Sequence, residues 1–516
     1  MISVINSVCI SGVRGLLTTV ETYVGKGMNE FNIIGLAGAS VKESKNRVCA
    51  AMKYCGYELP KGRITVNLAP SDVRKEGTVF DLAIAAGLLA VSGELPPGST
   101  DNMALIGELS LNGGVRPVTG AFSMCVSALQ NGISEIVLPL GNLDEVSGLE
   151  GLHIRPVSCL DELIPAVKLA QAPVIGRLSE VHRETEYTSI RNIKGHKSAK
   201  RALEIAAAGK HNLLMLGAAG SGKTLLAHSV RSILPPLEKQ DIYDVTSIYS
   251  LSGLLDKDTP LICDPPFREI HNGITKTALI GGGRPVVPGE ISLAHRGVLF
   301  MDEATELERP VIDALRQPMD SGEVNVSRVG HIEKLPADFM LIMAANPCRC
   351  GNLFEGREKC TCTPKMVSNT LGRLSRPVLD RIDIHIPVRS PEYAELTAPA
   401  EESAETIRAR VAAVRKLQKE RLDHYELPAR PYSLLTGDEL DKVCNCTPAA
   451  EKLLEAGVEK LSSSVRAYNK IKAVARTVAD LNGHENVAEE DMAEALSYRA
   501  MDHRLFGDRG YQENAA

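Results

Sequence analysis

HNLLMLGAAGSGKTLLAHSV, His211 to Val230, decides the fold at the centre of this chain. An apolar run, Leu213–Leu216, leads into Gly217-Ala-Ala-Gly220-Ser221-Gly222-Lys223-Thr224, and a helix-compatible run leads out. The pattern is G-x-x-x-x-G-K-[ST] in the strand–loop–helix setting that gives it meaning. Its glycines let successive backbone N–H groups turn toward phosphate oxygens, and the start of the helix adds partial positive charge. Lys223 is expected to reach the β- and γ-phosphates and the Thr224 hydroxyl to hold Mg2+. The stretch therefore predicts an ATP and Mg2+ site.

Two further strands support it. GVLFMDEATEL (Gly297–Leu307) is apolar and ends in two acids. Asp302 fits the Mg2+-holding acid, and Glu303 the base that polarises the attacking water. FMLIMAANP ends in Asn346, which suits a group orienting that water and equally a turn-forming Asn before Pro. In RLSRPVLDRIDIHIPV (Arg373–Val388), Arg381 sits between a helix end and a strand. An arginine so placed can reach a neighbouring subunit's γ-phosphate. On spacing alone a salt bridge with Asp380 or Asp383 is favoured instead.

A chain of 516 residues exceeds one core, and length alone suggests about three domains. Hydrophobic residues make up 44% and charged residues 24%, within the range of soluble proteins. No apolar run reaches the roughly 18 residues of a membrane helix, and MISVINSVCISG lacks a basic n-region and apolar h-region. A cytoplasmic protein without a membrane partner is expected. Its twelve cysteines should then be thiols or metal ligands. A formal charge of −6 argues against general polyanion binding, so any nucleic-acid contact needs a local basic surface.

Strand-like and helical patterns alternate from residue 1 to about 168. RITVNLAP (Arg63–Pro70) and EIVLP (Glu135–Pro139) read as strands, FDLAIAAGLLAV (Phe80–Val91) and FSMCVSALQNG (Phe122–Gly132) as helices. A polar stretch follows. From about Ile190 to Val388 the alternation resumes as a parallel α/β pattern. The remainder is helical, with Ile407, Val411, Val414 and Leu417 on one apolar face and a helix from Ser464 to Asn482 stopped by Gly483.

AANPCRCGNLFEGREKCTCTP (Ala344–Pro364) carries Cys348, Cys350, Cys360 and Cys362 as two Cys-x-Cys pairs. Four thiolates suit a closed, tetrahedral structural Zn2+; four unliganded thiols in a reduced loop are the alternative. Two insertions are candidates for a central pore. Thr275–Ile291 is rich in Gly and Pro, and Gly322–Ala337 alternates like a hairpin carrying Arg328, His331 and Lys334. Repeated around a ring, Arg328 and Lys334 would track DNA phosphates; a solvated hairpin is the plainer alternative.

The sequence resembles the magnesium-chelatase-like AAA+ ATPases of the ComM/YifB family over essentially its whole length. The matching stretches are FNIIGLAGASVKESKNRVCAA, LPKGRITVNLAPSDVRKEGTVFDLAIAAGLLA, LIGELSLNGGVRPVTG, ALIGGGRPVVPGEISLAHRGVLFMDE, DALRQPMDSGEV, ANPCRCG and VARTVADL. The resemblance implies a multidomain α/β fold. Residues 1–170 would be an α+β domain like the Lon protease domain and ribosomal S5. Residues 171–189 would be a linker and 190–390 an AAA+ P-loop core with a cysteine insertion at 348–362. Residues 391–510 would be a helical lid. It implies a homo-oligomer, a hexamer, with ATP between subunits. Asn346 matches the first sensor, Arg381 the finger arginine and Arg466, in SSVRAYNK, the second sensor. Studied relatives are helicases that migrate branched DNA; a chelatase-like motor remodelling a protein partner is the rival reading. Proteolysis is not expected. Laid against the Lon motifs, Val79 stands in the serine position, and Phe122 and Met124 occur with no lysine between Gly120 and Leu129. The chain departs from relatives at Glu269-Ile270-His271, at Lys470 and in VSNTLGR (Val367–Arg373), the last two softening positive charge.

Overall fold

This computed structural model describes residues 2–168, 172–176, 188–255, 260–283, 286–328, 331–355, 359–397, 402–461, 465–502 and 505. Two compact units divide the chain. The first comprises Met1–His182, Glu238–Cys263 and Ser327–Glu333; the second holds the rest.

The first unit is built on an eight-stranded mixed sheet. Its central hairpin pairs Ile2–Ser11 with Arg14–Gly25. On one side Arg63–Ala69 adds antiparallel and Glu30–Ile34 closes the edge in parallel. On the other side Met103–Leu105, Glu135–Pro139 and His153–Val157 add in parallel. Strand Arg63–Ala69 alternates as its sequence demands, with Ile64, Val66 and Leu68 buried. Helix Asp81–Val91 is apolar nearly all round and buried nearly all round. Its one acid, Asp81, is fully buried and forms an ion pair with Arg47, Oδ2 to Nε at 2.6 Å. Most of the expected linker lies outside the described residues. Within it, Val174–Ile175 pairs antiparallel with His153 and Ile154 as an edge strand. Helix Lys239–Leu251, far along the chain, also belongs to this unit. It packs on helix Ala121–Gln130, where the rings of Phe122 and Tyr243 meet edge-on at 6.0 Å.

The second unit holds a five-stranded, all-parallel sheet. Its order is Phe267–Ile270, Val298–Met301, Met340–Ala345, Leu213–Gly217, Ile384–Val388. VLFM, MLIMAA and LLMLG are buried along their whole length, which explains why they read as unbroken apolar runs rather than alternating ones. In such sheets ligands bind outside the carboxyl ends of the strands, where Gly217, Asp302 and Asn346 all fall.

Helices Ala404–His424, Gly437–Val443, Pro448–Leu461, Val465–Asn482 and Glu489–Ser497 complete the unit. All but Gly437–Val443 share the core of the sheet: Ile407, Val411, Ile471, Val474 and Val478 cluster with Leu213, Met215, Ile342 and Ile384, whereas Leu440 and Val443 pack in a separate cluster with Leu422, Tyr432 and Ala473. The expected apolar face of Ala404–His424 needs one correction. Ile407, Val411 and Val414 are buried, but Leu417 is 41% exposed. The buried stripe turns with the 3.6-residue period, so the next inward positions are Gln418 and Leu422. Gln418 lies 3.5 Å from Thr477 and from Asp480.

Lys470, read from sequence as part of a softened basic surface, is buried. Its Nζ lies 2.6 Å from Asp383 Oδ1, tying helix Val465–Asn482 to the start of strand Ile384–Val388. Asp383 also accepts from the Asn212 amide at 2.7 Å and faces His211 Nδ1 at 3.8 Å. Burial pushes the Asp383 carboxyl up, but Lys470 and His211 together outweigh it and hold it well below the usual carboxylate range.

Candidate nucleotide site and cysteine knuckle

Strand Leu213–Gly217 delivers the loop, and helix Lys223–Ser229 leaves it. Gly217 is dictated by close approach: a Cβ there would sit 2.2 Å from the Val388 carbonyl oxygen of the neighbouring strand. Lys223 is 92% buried, its Nζ donating to the Gly217 and Ala218 carbonyls at 2.9 and 2.7 Å and to Asn346 Oδ1 at 3.2 Å. Burial pushes its pKa down, and the charges of Asp302 and Glu303 only partly pull it back. Thr224 Oγ1 donates to Asp302 Oδ2 at 2.8 Å. The lysine, the hydroxyl, the strand-end acid and Asn346 thus meet at the carboxyl edge of the sheet. Thr224 and Asp302 form an oxygen pair of the kind that suits Mg2+.

Glu303 is held in the left-handed region, φ 47°, a conformation that costs a non-glycine residue energy and is concentrated at functional sites. Its amide donates to Asp302 Oδ1 at 2.8 Å. Its Oε2 accepts from Asn272 Nδ2 at 3.2 Å. Asn272, two residues beyond strand Phe267–Ile270, was not singled out by the sequence. Its only signal was its place after a strand, and the register that sets it beside Glu303 comes from the pairing of Ile270 with Met301.

The four cysteines converge. Sγ separations are 3.5 Å for Cys348–Cys350, 3.9 Å for Cys348–Cys360 and 3.7 Å for Cys350–Cys360. All four Sγ atoms lie within 4.8 Å of one another. A tetrahedron of thiolates at about 2.3 Å from Zn2+ has edges of about 3.8 Å, so the donor set fits that ion. Burial pushes Cys350 up, but donors that include the Asn352 amide, Cys348 and Cys362 bring it down to about 6, the thiolate form that ligates metal. A second cluster, His484, Glu490 and Asp491, is a helix cap. Asp491 accepts from His484 Nδ1, the Ala488 amide and Asn482 Nδ2 at 2.8, 2.9 and 2.8 Å, which closes the start of helix Glu489–Ser497.

Three family models match the chain: magnesium chelatase, subunit ChlI over residues 189–396; subunit ChlI of Mg-chelatase over 20–142; and magnesium chelatase, subunit ChlI C-terminal over 401–499. The competence protein ComM of Haemophilus influenzae is 36% identical, with 97% of this chain and 98% of that protein covered. YifB of Escherichia coli K12 is 35% identical over 98% of each chain. The magnesium-chelatase 38 kDa subunit of Cereibacter sphaeroides is 26% identical over 39% of this chain and 59% of that protein. The chain belongs to the magnesium-chelatase-like ComM/YifB family.

Membership in the ComM/YifB family carries the AAA+ ATPase class, with ATP and Mg2+ as cofactors. Among the described residues no helix is long and apolar enough to cross a membrane. Of the remaining sequence candidates of this ComM/YifB-family chain, Arg381, Arg466 and Lys334 belong to the second unit and Arg328 to the first. Arg381 makes neither of its expected local ion pairs. Its Nε donates to Asp320 Oδ1 at 2.8 Å and its Nη1 to the Pro377 carbonyl at 2.6 Å, and the side chain is 12% exposed. Arg466 is exposed in the first turn of helix Val465–Asn482. Glu323–Arg328 and His331–Pro336 form the expected hairpin. On it Lys334 lies 3.4 Å from Glu323 and is exposed; the Arg328 side chain lies outside the described residues.

Proposed function

We propose that this protein is an ATP-driven ring motor on DNA, a branch-migration helicase of the ComM kind. The assembly of Lys223, Thr224, Asp302 and Glu303 at one sheet edge carries the motor half of this reading. Near-full-length similarity to a competence protein supports the DNA half.

In this reading Gly217, Gly220, Ser221 and Gly222 cradle the phosphates, and Lys223 exchanges its two loop carbonyls for phosphate oxygens. Mg2+, held by Thr224 and Asp302, supplies charge neutralisation at those oxygens. Glu303 takes the proton of the attacking water at its carboxylate, with Asn272 fixing the carboxylate and Asn346 orienting the water. Arg381 leaves Asp320 to complete the site of a neighbouring subunit in a hexamer, and Arg466 acts from the helical lid, residues 391–510. Cys348, Cys350, Cys360 and Cys362 hold a structural Zn2+ with no part in hydrolysis. Arg328 and Lys334 contribute phosphate contacts. Residues 1–170 form a non-proteolytic Lon-like domain, and the protein works in the cytoplasm.

The test is ATPase rate against added branched DNA at rising salt. Stimulation that falls steeply with salt supports the DNA motor. A rate indifferent to branched, duplex and single-stranded DNA refutes it and favours the chelatase-like remodelling of a protein partner.

A further inference from the structure

The cysteine loop is tied to the nucleotide site at three described points. Asn346, two residues before Cys348, accepts from Lys223 Nζ at 3.2 Å. Gly351, between the cysteine pairs, has φ +80°, and a Cβ on it would lie 3.3 Å from Ala218 Cα and 3.4 Å from the Ala219 amide nitrogen. Those two residues are the first two of the four x positions of the phosphate loop. Glu355 accepts from the Ser390 amide at 2.8 Å and from its hydroxyl at 3.0 Å. Ser390 follows strand Ile384–Val388, which lies against Gly217. The backbone at Gly351 thus backs directly onto the backbone that must point its N–H groups at phosphate.

We infer that this knuckle is a clamp on the phosphate loop: a thiophilic divalent cation on Cys348, Cys350, Cys360 and Cys362 and a nucleotide on Gly217–Thr224 stabilise each other's binding, with Gly351 and Glu355 as the positioning residues. The inference rests on the zinc and nucleotide readings above. Between Asn346 and Glu355 the chain has one 3-10 turn, Asn352–Phe354, and no strand, so without metal ligation Gly351 is held by a turn bond to the Cys348 carbonyl and by the anchors at Asn346 and Glu355, against the conformational entropy of the loop. Ligation of Cys348 and Cys350 on one side of it and Cys360 and Cys362 on the other removes that freedom. Phosphate recognition by backbone amides tolerates displacements of only about 0.5 Å, so a restrained wall behind Ala218 and Ala219 raises nucleotide affinity. Coupling of this kind is reciprocal: whatever factor the metal adds to nucleotide affinity, the nucleotide adds to metal affinity.

The experiment uses the full chain, a fluorescent ADP analogue in excess Mg2+, and zinc counted by release to a colorimetric chelator. Gly351→Ala should keep one zinc per chain and weaken ADP binding about tenfold, or about 1.4 kcal/mol, because the new Cβ must push the loop. Glu355→Gln, which alters no packing volume, should weaken it less but in the same direction. Stripping zinc from wild type with a zinc-selective chelator should weaken ADP binding, and zinc alone should restore it. ADP should in turn slow zinc release, an effect that a merely structural metal would not show. Purified protein that holds zinc and binds ADP, but in which neither substitution nor stripping changes affinity and ADP leaves zinc release unchanged, overturns the clamp while leaving both underlying readings intact. Protein that carries no zinc, or wild type that fails to bind the analogue, refutes the corresponding underlying reading and the coupling with it.

Discussion

Replacing Lys470 with methionine tests how helix Val465–Asn482 is held to the sheet. The substitution keeps an unbranched, flexible side chain one atom shorter and removes its charge. Asp383 is then left with no exposed surface, the Asn212 amide at 2.7 Å and the His211 ring at 3.8 Å. Breaking one side of a buried pair costs about 3–5 kcal/mol, since the survivor stays buried and charged. In a unit of this size each kcal/mol lowers Tm by about 2 °C, so a fall of roughly 6–10 °C at pH 7 is expected in thermal unfolding followed by circular dichroism. The pH dependence gives a second signature. In wild type the Asp383 carboxyl is depressed, so its contribution to stability is present above the unfolded value near about 3.9 and lost only as pH falls through the lower folded value. In the variant, burial is no longer opposed by Lys470, the carboxyl rises, and protonation relieves the buried charge. The gap between the two proteins should therefore narrow as pH falls toward about 4. Lys470→Arg, which keeps the charge, should recover most of the loss. A fall under ~2 °C at pH 7, or a gap that stays constant with pH, would show that the pair does not hold the helix.

Glu303→Gln should keep nucleotide affinity but lower kcat by about 10²–10⁴, measured as phosphate release, because the water loses its base. Mixing Arg381→Ala with Glu303→Gln subunits should partly restore hydrolysis if Arg381 works across a subunit boundary; a monomer hydrolysing at full rate, with no restoration on mixing, refutes that role. Arg328→Ala together with Lys334→Ala should reduce the salt slope of DNA binding by about one unit per lost phosphate contact, and an unchanged slope moves the contacts elsewhere.

The elements of the nucleotide site were legible because each is written locally. A parallel strand buried on both faces is a continuous apolar run, and the loop and strand-end acids follow it directly, so Leu213–Gly217, Val298–Met301 and Met340–Ala345 stand where the sequence suggests. The partners were not legible. Asp320 is 61 positions from Arg381, Asn272 is 31 from Glu303, and Lys470 is 87 from Asp383. Only tertiary register brings them together, and local spacing favoured nearer acids for Arg381. The cysteine pairs announced a cluster, but Gly351 looked like ordinary loop glycine until Ala218 appeared behind it. Leu417 failed for a simpler reason: with 3.6 residues per turn the inward stripe drifts along the helix, and Gln418 rather than Leu417 took the inward place.

Helix Lys239–Leu251 has a bearing on how the protein is made. Ile242, Val245 and Ile248 of that helix are buried, and Tyr243 meets Phe122 of Ala121–Gln130. The sheet that Ala121–Gln130 belongs with is encoded almost entirely before residue 176. At synthesis rates of about 5–20 residues per second, its last covering helix leaves the ribosome several seconds after the rest. During that interval the apolar side of Ala121–Gln130 is uncovered on a nascent chain that is already emitting the phosphate loop. A fragment that ends near residue 176 keeps this interval open permanently. Such a fragment should be prone to aggregation in the cell, whereas one carried through residue 263 can close its own core.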